Sequence, residues 1–371
     1  MGAAVNNPGA ANDRQLWETH WHLLAHRAEL ASTNQFLGFT VAGEEVVAFN
    51  DGASVVVFDN RCPHRGTRIF NGVQGQQRWF CPYHAWSYVK GRMIIPGKEL
   101  FDCDLSDVEL AGYRTEWLGD FLFVSRRPAR SLADQLAGVA DMVAAISRGI
   151  ASRGDLNAYD YQCNWKIAVE NALDQYHVAV IHHETLNKLK MDPAQDHYHG
   201  INNVSYAGVG DPLVAKRLRS LRRFFDIEFQ SEGYIAIHLF PFTFLTSTFG
   251  YSYSLQQFYP SADQDRTHFT SRFYAGRLSP KINAQTMQTF FDSTVEVNHK
   301  VFAEDAEICA RVPTDSWSPQ PPRYLSSGEA KIGQFRGIMA GMLRGEDPQG
   351  AFIAGAAGDV SAEPSPVDGM G

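Results

Sequence analysis

Two short loops constrain this chain more than any other feature. They are Cys62-Pro63-His64-Arg65-Gly66 and Cys81-Pro82-Tyr83-His84-Ala85-Trp86, each carrying one cysteine and one histidine. Both sit among segments with strand character. Residues 36–41, 45–49 and 54–58 are rich in β-branched and aromatic side chains, and Asn50-Asp51-Gly52 signals a tight hairpin turn. Further strands are expected at 86–88, 91–96, 113–117 and 121–124. Pro63 and Pro82 stiffen the loops. Gly66 and Ala85 leave room for backbone N–H groups to approach the sulfurs. Two thiolates and two imidazoles can hold zinc tetrahedrally. They can also hold a [2Fe–2S] cluster, with both cysteines on one iron and both histidines on the other. A zinc finger places cysteine beside cysteine on one knuckle. One cysteine and one histidine per loop fit two lobes closing on two irons, so the cluster is the favoured reading.

A second stretch carries chemistry. Glu170 to His183 reads as a helix rich in Ala, Leu, Glu and Gln, yet it holds Asp174, His177 and His182. Residues five apart diverge by roughly 140° on an ideal helix, so His177 and His182 meet at one metal only if the helix loosens or ends between them. Asp174 and His177, three apart, share a face, and a carboxylate on one imidazole nitrogen orients the other toward a metal. Taken alone, the stretch also fits a helix with bystander histidines.

Together the two motifs resemble the terminal (α) component of the Rieske non-haem iron oxygenases, of the aromatic-ring-hydroxylating and demethylating type. Cys62-Pro63-His64-Arg65-Gly66 with Cys81-Pro82-Tyr83-His84-x-Trp86 resembles the Rieske domain, and Glu170-Asn171-x-x-Asp174-x-Tyr176-His177-x4-His182 the mononuclear-iron motif. The resemblance runs from Arg14 to about Arg311. It implies a [2Fe–2S] cluster on Cys62, His64, Cys81 and His84, and Fe(II) on His177, His182 and a distant carboxylate. Val301 to Cys309 is similar to the family's late acidic helix, which implies Asp305 as that ligand, with Glu304 the runner-up. The resemblance further implies a ring-shaped homotrimer in which Asp174 bridges His177 and His84 of the adjacent subunit. A β subunit is compatible with it.

The implied fold is α+β. An all-β Rieske domain (36–128) stands between an N-terminal segment with a helix (1–35) and a catalytic domain (129–345) with a curved antiparallel sheet flanked by helices. Residues 346–371, and 1–12, are expected to be disordered. Leucines and tryptophans at helical spacing predict a helix over 13–30, in which His20, His22 and His26 are structural or surface groups. Residues 131–150 read as one helix, 192–210 as a lid or surface loop, and 216–223 as a basic run. Residues 233–240, 242–249, 251–259 and 268–277 read as strands, and 281–312 and 330–343 as helices. Phe240, Phe242, Phe244, Phe249, Tyr251 and Tyr253 either line a pocket or pack the core. Cys103 and Cys163 lack ligand spacing and read as core or surface.

A length of 371 residues suits two domains. A net charge of −8 excludes a nucleic-acid footprint. No apolar run reaches membrane-spanning length, and a cytoplasmic protein is expected. Five cysteines, an odd count, argue against a disulfide framework. The chain lacks a G-x-G-x-x-G fingerprint, so electrons from NAD(P)H must arrive through a separate reductase, with or without a ferredoxin. The expected activity is O2-dependent mono- or dioxygenation, or oxidative demethylation. A small aromatic substrate ranks first and a methylated or quaternary amine second. Lys188, Lys190 or Arg266 are candidates to pair a substrate carboxylate. A non-catalytic Rieske electron carrier is the alternative of another class, and a zinc-binding structural protein the next.

Overall fold

The computed structural model describes residues 8–347, apart from 230 and 284. The expected disorder at residues 1–7 and in the tail from 348 onward lies outside the described residues. Helix α1 (Pro8–Thr19) starts inside the stretch expected to be disordered and ends well before residue 30. The chain then enters strand β1 (His22–His26), every residue of which is buried. A solvent-facing helix cannot bury five consecutive side chains, whereas a strand inside a fold can. His22 lies between the rings of Trp17 and Phe242 at 4.5 and 5.3 Å. Burial pushes the His20 and His22 rings down to about 4 and about 3, so both are neutral structural groups.

Strands β2 (Gln35–Val41), β3 (Glu44–Asn50), β4 (Val55–Asp59) and β5 (Gln74–Gln76) form a four-stranded sheet in the order β4-β3-β2-β5. The turn at Asn50-Asp51-Gly52 forms as expected. Gly52 has φ +89, and the Asp51 carboxylate accepts from the Ala53 and Ser54 amides at 2.8 Å. A two-stranded hairpin follows, β6 (Ser87–Val89) and β7 (Arg92–Ile94). Then come β8 (Arg114–Leu118) and β9 (Phe121–Ser125), which join β1 in the order β1-β9-β8. The segment before residue 36 therefore supplies a strand to the sheet that ends the β module. Phe36, Phe49, Phe58, Phe70, Trp79 and Trp86 pack around Cys62 and Cys81. Each such ring contributes roughly 1.5–3 kcal/mol by leaving water.

The expected helix over 131–150 is two pieces, α2 (Leu132–Gln135) and α3 (Ala140–Gly149), parted near Gly138 at φ +82. A strand not anticipated from the sequence follows, β10 (Ile150–Tyr161). It is the outer edge of its sheet, and its polar, half-exposed residues hide the strand pattern. After α4 (Trp165–Leu173) and α5 (Val178–Ile181), the stretch read as a lid or surface loop is instead a hairpin, β11 (Gln195–His199) and β12 (Asn202–Ala207). The basic run lies in α6 (Pro212–Leu221), which Asp211 caps, and in the single turn Arg222–Phe224 after it. Strands β13 (Tyr234–Leu239), β14 (Thr243–Thr248), β15 (Ser252–Pro260) and β16 (Thr267–Gly276) complete an antiparallel seven-stranded sheet ordered β10-β16-β15-β14-β13-β12-β11. Helices α7 (Gln285–Cys309) and α8 (Ala330–Leu343) close the described chain.

The fold is thus α+β, as expected. One face of the large sheet packs Ile235, Ile237, Leu245 and Leu255 against α3 and against Leu23 and Phe123 of the small sheet. The other packs Phe244, Phe258 and Phe269 against α4, α7 and α8 through Trp165, Phe302 and Phe335. The aromatic stripe from Phe240 to Tyr253 is core, divided among three buried clusters. Among the described residues no helix is long and apolar enough to cross a membrane.

Candidate metal centres

Helix α4 begins at Asn164, whose side chain accepts from the Lys166 amide at 3.0 Å. It ends at Leu173 because Asp174 turns extended (φ −76, ψ 132). The Asp174 carboxylate accepts from the Tyr176 amide at 2.6 Å and the His177 amide at 3.4 Å, holding the turn. The chain then makes the single turn of α5, with His177 at its N-terminal and His182 at its C-terminal boundary. The helix was expected to give way between the two histidines. It gives way earlier, at Asp174, and the one turn left between them brings their Nε2 atoms to 3.2 Å.

Asp305, on α7, completes the set. Its Oδ1 lies 3.1 Å from His182 Nε2 and 3.5 Å from His177 Nε2. Among the described residues this is the one group of three or more His, Cys, Asp or Glu whose ligand atoms fall within 4.8 Å of one another. Two imidazoles and one carboxylate aimed at one point make the donor set of a non-haem Fe(II) site with open positions. Glu304 points elsewhere, placing Oε2 2.7 Å from His182 Nδ1 and 2.9 Å from Thr185 Oγ1. Asn171 donates to Asp305 Oδ1 at 2.8 Å. Asp174 Oδ2 lies 3.3 Å from His177 Nδ1, out of line for a well-formed hydrogen bond. Burial opposes charge on the His177 ring, but Asp174 and Asp305 outweigh it and lift its pKa to about 9. Burial likewise opposes charge on Asp305, and its bonds to His177, His182 and Asn171 hold its carboxyl below the usual range.

Supporting contacts here join residues far apart in the chain, and no local pattern announces them. Glu170 accepts from Arg336 at 2.7 and 2.6 Å and from Trp317 Nε1 at 2.7 Å, tying α4 to α8. Asp196 Oδ1 accepts from Lys331 Nζ at 2.8 Å and Ser205 Oγ at 2.6 Å. Ser205 begins a row of small side chains across four neighbouring strands, Ser205-Ala236-Thr246-Ser254 in register. On β13, Tyr234 and Ala236 stay partly open while Ile235 and Ile237, facing the other way, are buried. Tyr234 and Ala236 thus keep some accessible surface on the side of the sheet opposite Ile235 and Ile237. Burial raises the Tyr234 hydroxyl pKa, and Asp305 is near enough to add to the rise. Lys188 pairs with Glu184 and Arg266 with Asp263 at the exposed surface, and Lys190 is exposed.

The Cys–His loops share one hydrogen-bond pattern. Cys62 N donates to Thr67 O and Gly66 N to Cys62 O, both at 2.8 Å. Cys81 N donates to Trp86 O at 2.8 Å and Ala85 N to Cys81 O at 3.0 Å. Gly66 and Ala85 fill equivalent left-handed positions at φ 70 and 60. The thiols of Cys62 and Cys81 are buried and touch each other. The amides of His64 and Arg65 face Cys62, and those of Tyr83 and His84 face Cys81. The two Nδ1 atoms of His64 and His84 are 3.1 Å apart, and Trp86 stacks on His64 at 4.7 Å. Donors arranged as a sulfur pair and a nitrogen pair, without one common focus, fit a two-iron cluster and not a zinc tetrahedron. Cys103 is exposed and Cys163 buried, and neither belongs to a site.

Comparison with known proteins agrees with this geometry. Residues 20–96 match the model of the Rieske [2Fe-2S] domain, and residues 151–345 that of the ring hydroxylating alpha subunit (catalytic domain). The chain belongs to the Rieske oxygenase α-subunit family, whose cofactors are a Rieske [2Fe–2S] cluster and a mononuclear Fe(II). It is 29% identical over 188 residues to the glycine betaine monooxygenase oxygenase subunit of Chromohalobacter salexigens, covering 47% of this chain and 41% of that one. It is 30% identical over 189 residues to the anthranilate 1,2-dioxygenase large subunit of Acinetobacter baylyi, covering 47% and 40%. These matches span less than half the length of either relative. In structure it is similar to the quaternary ammonium Rieske monooxygenase CntA in complex with L-carnitine, with TM-score 0.70, 19% identity, and coverage of 89% of this chain and 90% of that one.

Proposed function

We propose that this chain is the oxygenase component of an O2-dependent hydroxylating system acting on a small polar substrate. The convergence of His177 Nε2, His182 Nε2 and Asp305 Oδ1 carries the reading. With Fe(II) bound there, the site supplies O2 activation. Glu304 fixes the His182 tautomer by holding Nδ1, and Asn171 restrains the Asp305 carboxylate. Cys62, His64, Cys81 and His84 hold the cluster that feeds the iron, in this reading the iron of a neighbouring copy in a homotrimer. Asp174 then bridges His177 and His84 of that copy. His84 is exposed, as a bridge between subunits requires, and Tyr83 beside it and Tyr176 and Val180 beside Asp174 are exposed apolar groups.

A methylated or quaternary amine that also carries a carboxylate ranks ahead of a flat aromatic. The aromatic stripe that would have lined a pocket is packed core. The partly open side of β13 instead presents the ring of Tyr234, suited to a cation, with the polar side chains of Ser205, Thr246 and Ser254 in register beside it. The glycine betaine and carnitine oxygenases among the similar proteins support this order. A small aromatic acid is the second reading, supported by the anthranilate and toluate enzymes.

The test is analysis of anaerobically purified protein for iron, sulfide and the EPR signal after reduction, followed by O2 uptake with a reductase. Three iron and two sulfide per chain are expected. Uptake should be stimulated by glycine betaine or carnitine more than by anthranilate or benzoate. Zinc without sulfide refutes the family's chemistry here, and a preference for aromatic acids refutes the substrate order.

A further inference from the structure

The run from Arg61 to Lys98 holds seven basic residues and no acidic one, and it gives way directly to an acidic run with Glu99, Asp102, Asp104, Asp107 and Glu109. Arg65 lies over the Tyr83 ring and Arg68 pairs with Glu45, while the other five form no ion pair among the described residues. The hairpin β6–β7 sits in this run and begins directly after Trp86, the ring stacked on His64. Its register pairs Ser87 with Ile94 and Val89 with Arg92, across a Lys90-Gly91 turn. Tyr88 and Met93 point inward to the core. The outward face shows Val89 and Ile94, 47% and 51% exposed, beside exposed Lys90 and Arg92. Exposed apolar side chains with a charged rim are the anatomy of a protein interface. The face lies one residue from a ring that touches a cluster histidine.

We propose that this hairpin face is the docking surface of the electron donor, a one-electron carrier protein whose surface is acidic around its redox centre. The proposal rests on the reading of the chain as an oxygenase component. On docking, the carrier's reduced centre loses one electron and one ferric ion of the cluster becomes ferrous, with no atom exchanged. The partner in this proposal is the one-electron carrier itself. Charge selects it, since opposite potentials raise association rates and reject like-charged proteins.

The test uses the full chain with its cluster and, as probe, an acidic plant-type [2Fe–2S] ferredoxin. Binding is read by interferometry and transfer by stopped-flow bleaching of the cluster. The Lys90→Glu/Arg92→Glu variant should bind at least about tenfold more weakly at low salt. Lys216→Glu/Arg217→Glu, which makes the same change in net charge on α6, should change binding less than about twofold. About 0.5 M salt should abolish binding of the native chain. Val89→Ser/Ile94→Ser should weaken binding without altering the salt dependence. Equal weakening by the two charge reversals, salt-insensitive binding, no detectable binding, or a changed assembly size with unchanged binding overturns the proposal. Dithionite reduction keeps the two claims separate. A native chain without a Rieske spectrum refutes the oxygenase reading itself, whereas a variant with a native spectrum and native binding refutes only the docking face.

Discussion

Glu304 and Asp305, neighbours on α7, grip opposite ends of one imidazole. Glu304 Oε2 lies 2.7 Å from His182 Nδ1, and Asp305 Oδ1 lies 3.1 Å from His182 Nε2. Successive helix positions point about 100° apart, so two adjacent acids cannot reach the same nitrogen but can reach both sides of one ring. Asp305→Ala should therefore abolish iron retention, while Glu304→Ala should keep the site and weaken iron affinity roughly 10- to 100-fold. Iron titration of the two variants, with cluster content as internal reference, checks the division of labour.

Asp174→Asn should keep both metal centres and lose most turnover. The amide still accepts from the Tyr176 backbone, preserving the turn, but it cannot act as a carboxylate between two imidazoles. Product formation is measured alongside iron and sulfide. Normal turnover would remove Asp174 from the route between subunits.

Ala236→Phe should fill the partly open side of β13. The expected result is a fall of at least about tenfold in kcat/KM with iron content and melting temperature nearly unchanged. An unaffected kcat/KM would place the substrate elsewhere.

Glu29 makes a pH prediction. Its buried carboxylate accepts from Arg272 at 3.2 Å, Arg153 at 2.9 Å, Tyr274 at 2.7 Å and the His26 amide at 2.8 Å. Burial alone would raise its pKa, but Arg272, the amide and Arg153 lower it below the ordinary 4.5. A carboxyl with a depressed folded pKa adds stability that is complete above its unfolded pKa and fades as pH falls through the folded value. Glu29→Gln leaves Arg272 buried without its counter-charge and should destabilise by roughly 3–5 kcal/mol near neutrality. The gap between variant and native should narrow steadily below the ordinary 4.5, as denaturant titrations at several pH values would show.

Much of this was legible because period and spacing carry local physics. The strands around residues 36–59 and 234–276 announce themselves by composition and alternation, and the cluster ligands by two loops of matched chemistry. Four features were not legible. The helix predicted over 13–30 is cut by β1, because its leucines are demanded by the partner strand β9 and not by a helical face. The edge strand β10 is polar because one of its sides has no neighbour to bury it, and β12 hides its strand pattern because its Asn202, Asn203 and Ser205 are buried through hydrogen bonds to residues on other elements. The choice of Asp305 over Glu304 rested on resemblance, because the rotation of α7 about its axis is set by packing on β10 and α4. Glu170, Arg336 and Trp317 meet only once two helices and a loop are assembled.

Strand β1 bears on how such a chain can be rearranged. Its Leu23 packs under the large sheet while Leu24 and Ala25 belong to the cluster that holds α4 and α7. The cluster-bearing half is therefore not a portable cassette. A chimera made by swapping residues 36–128 between relatives would strand β9 without the partner it evolved with. Exchange of redox modules within this architecture should succeed only when the junction is moved upstream of Trp21, so that the seam travels with the part it stitches.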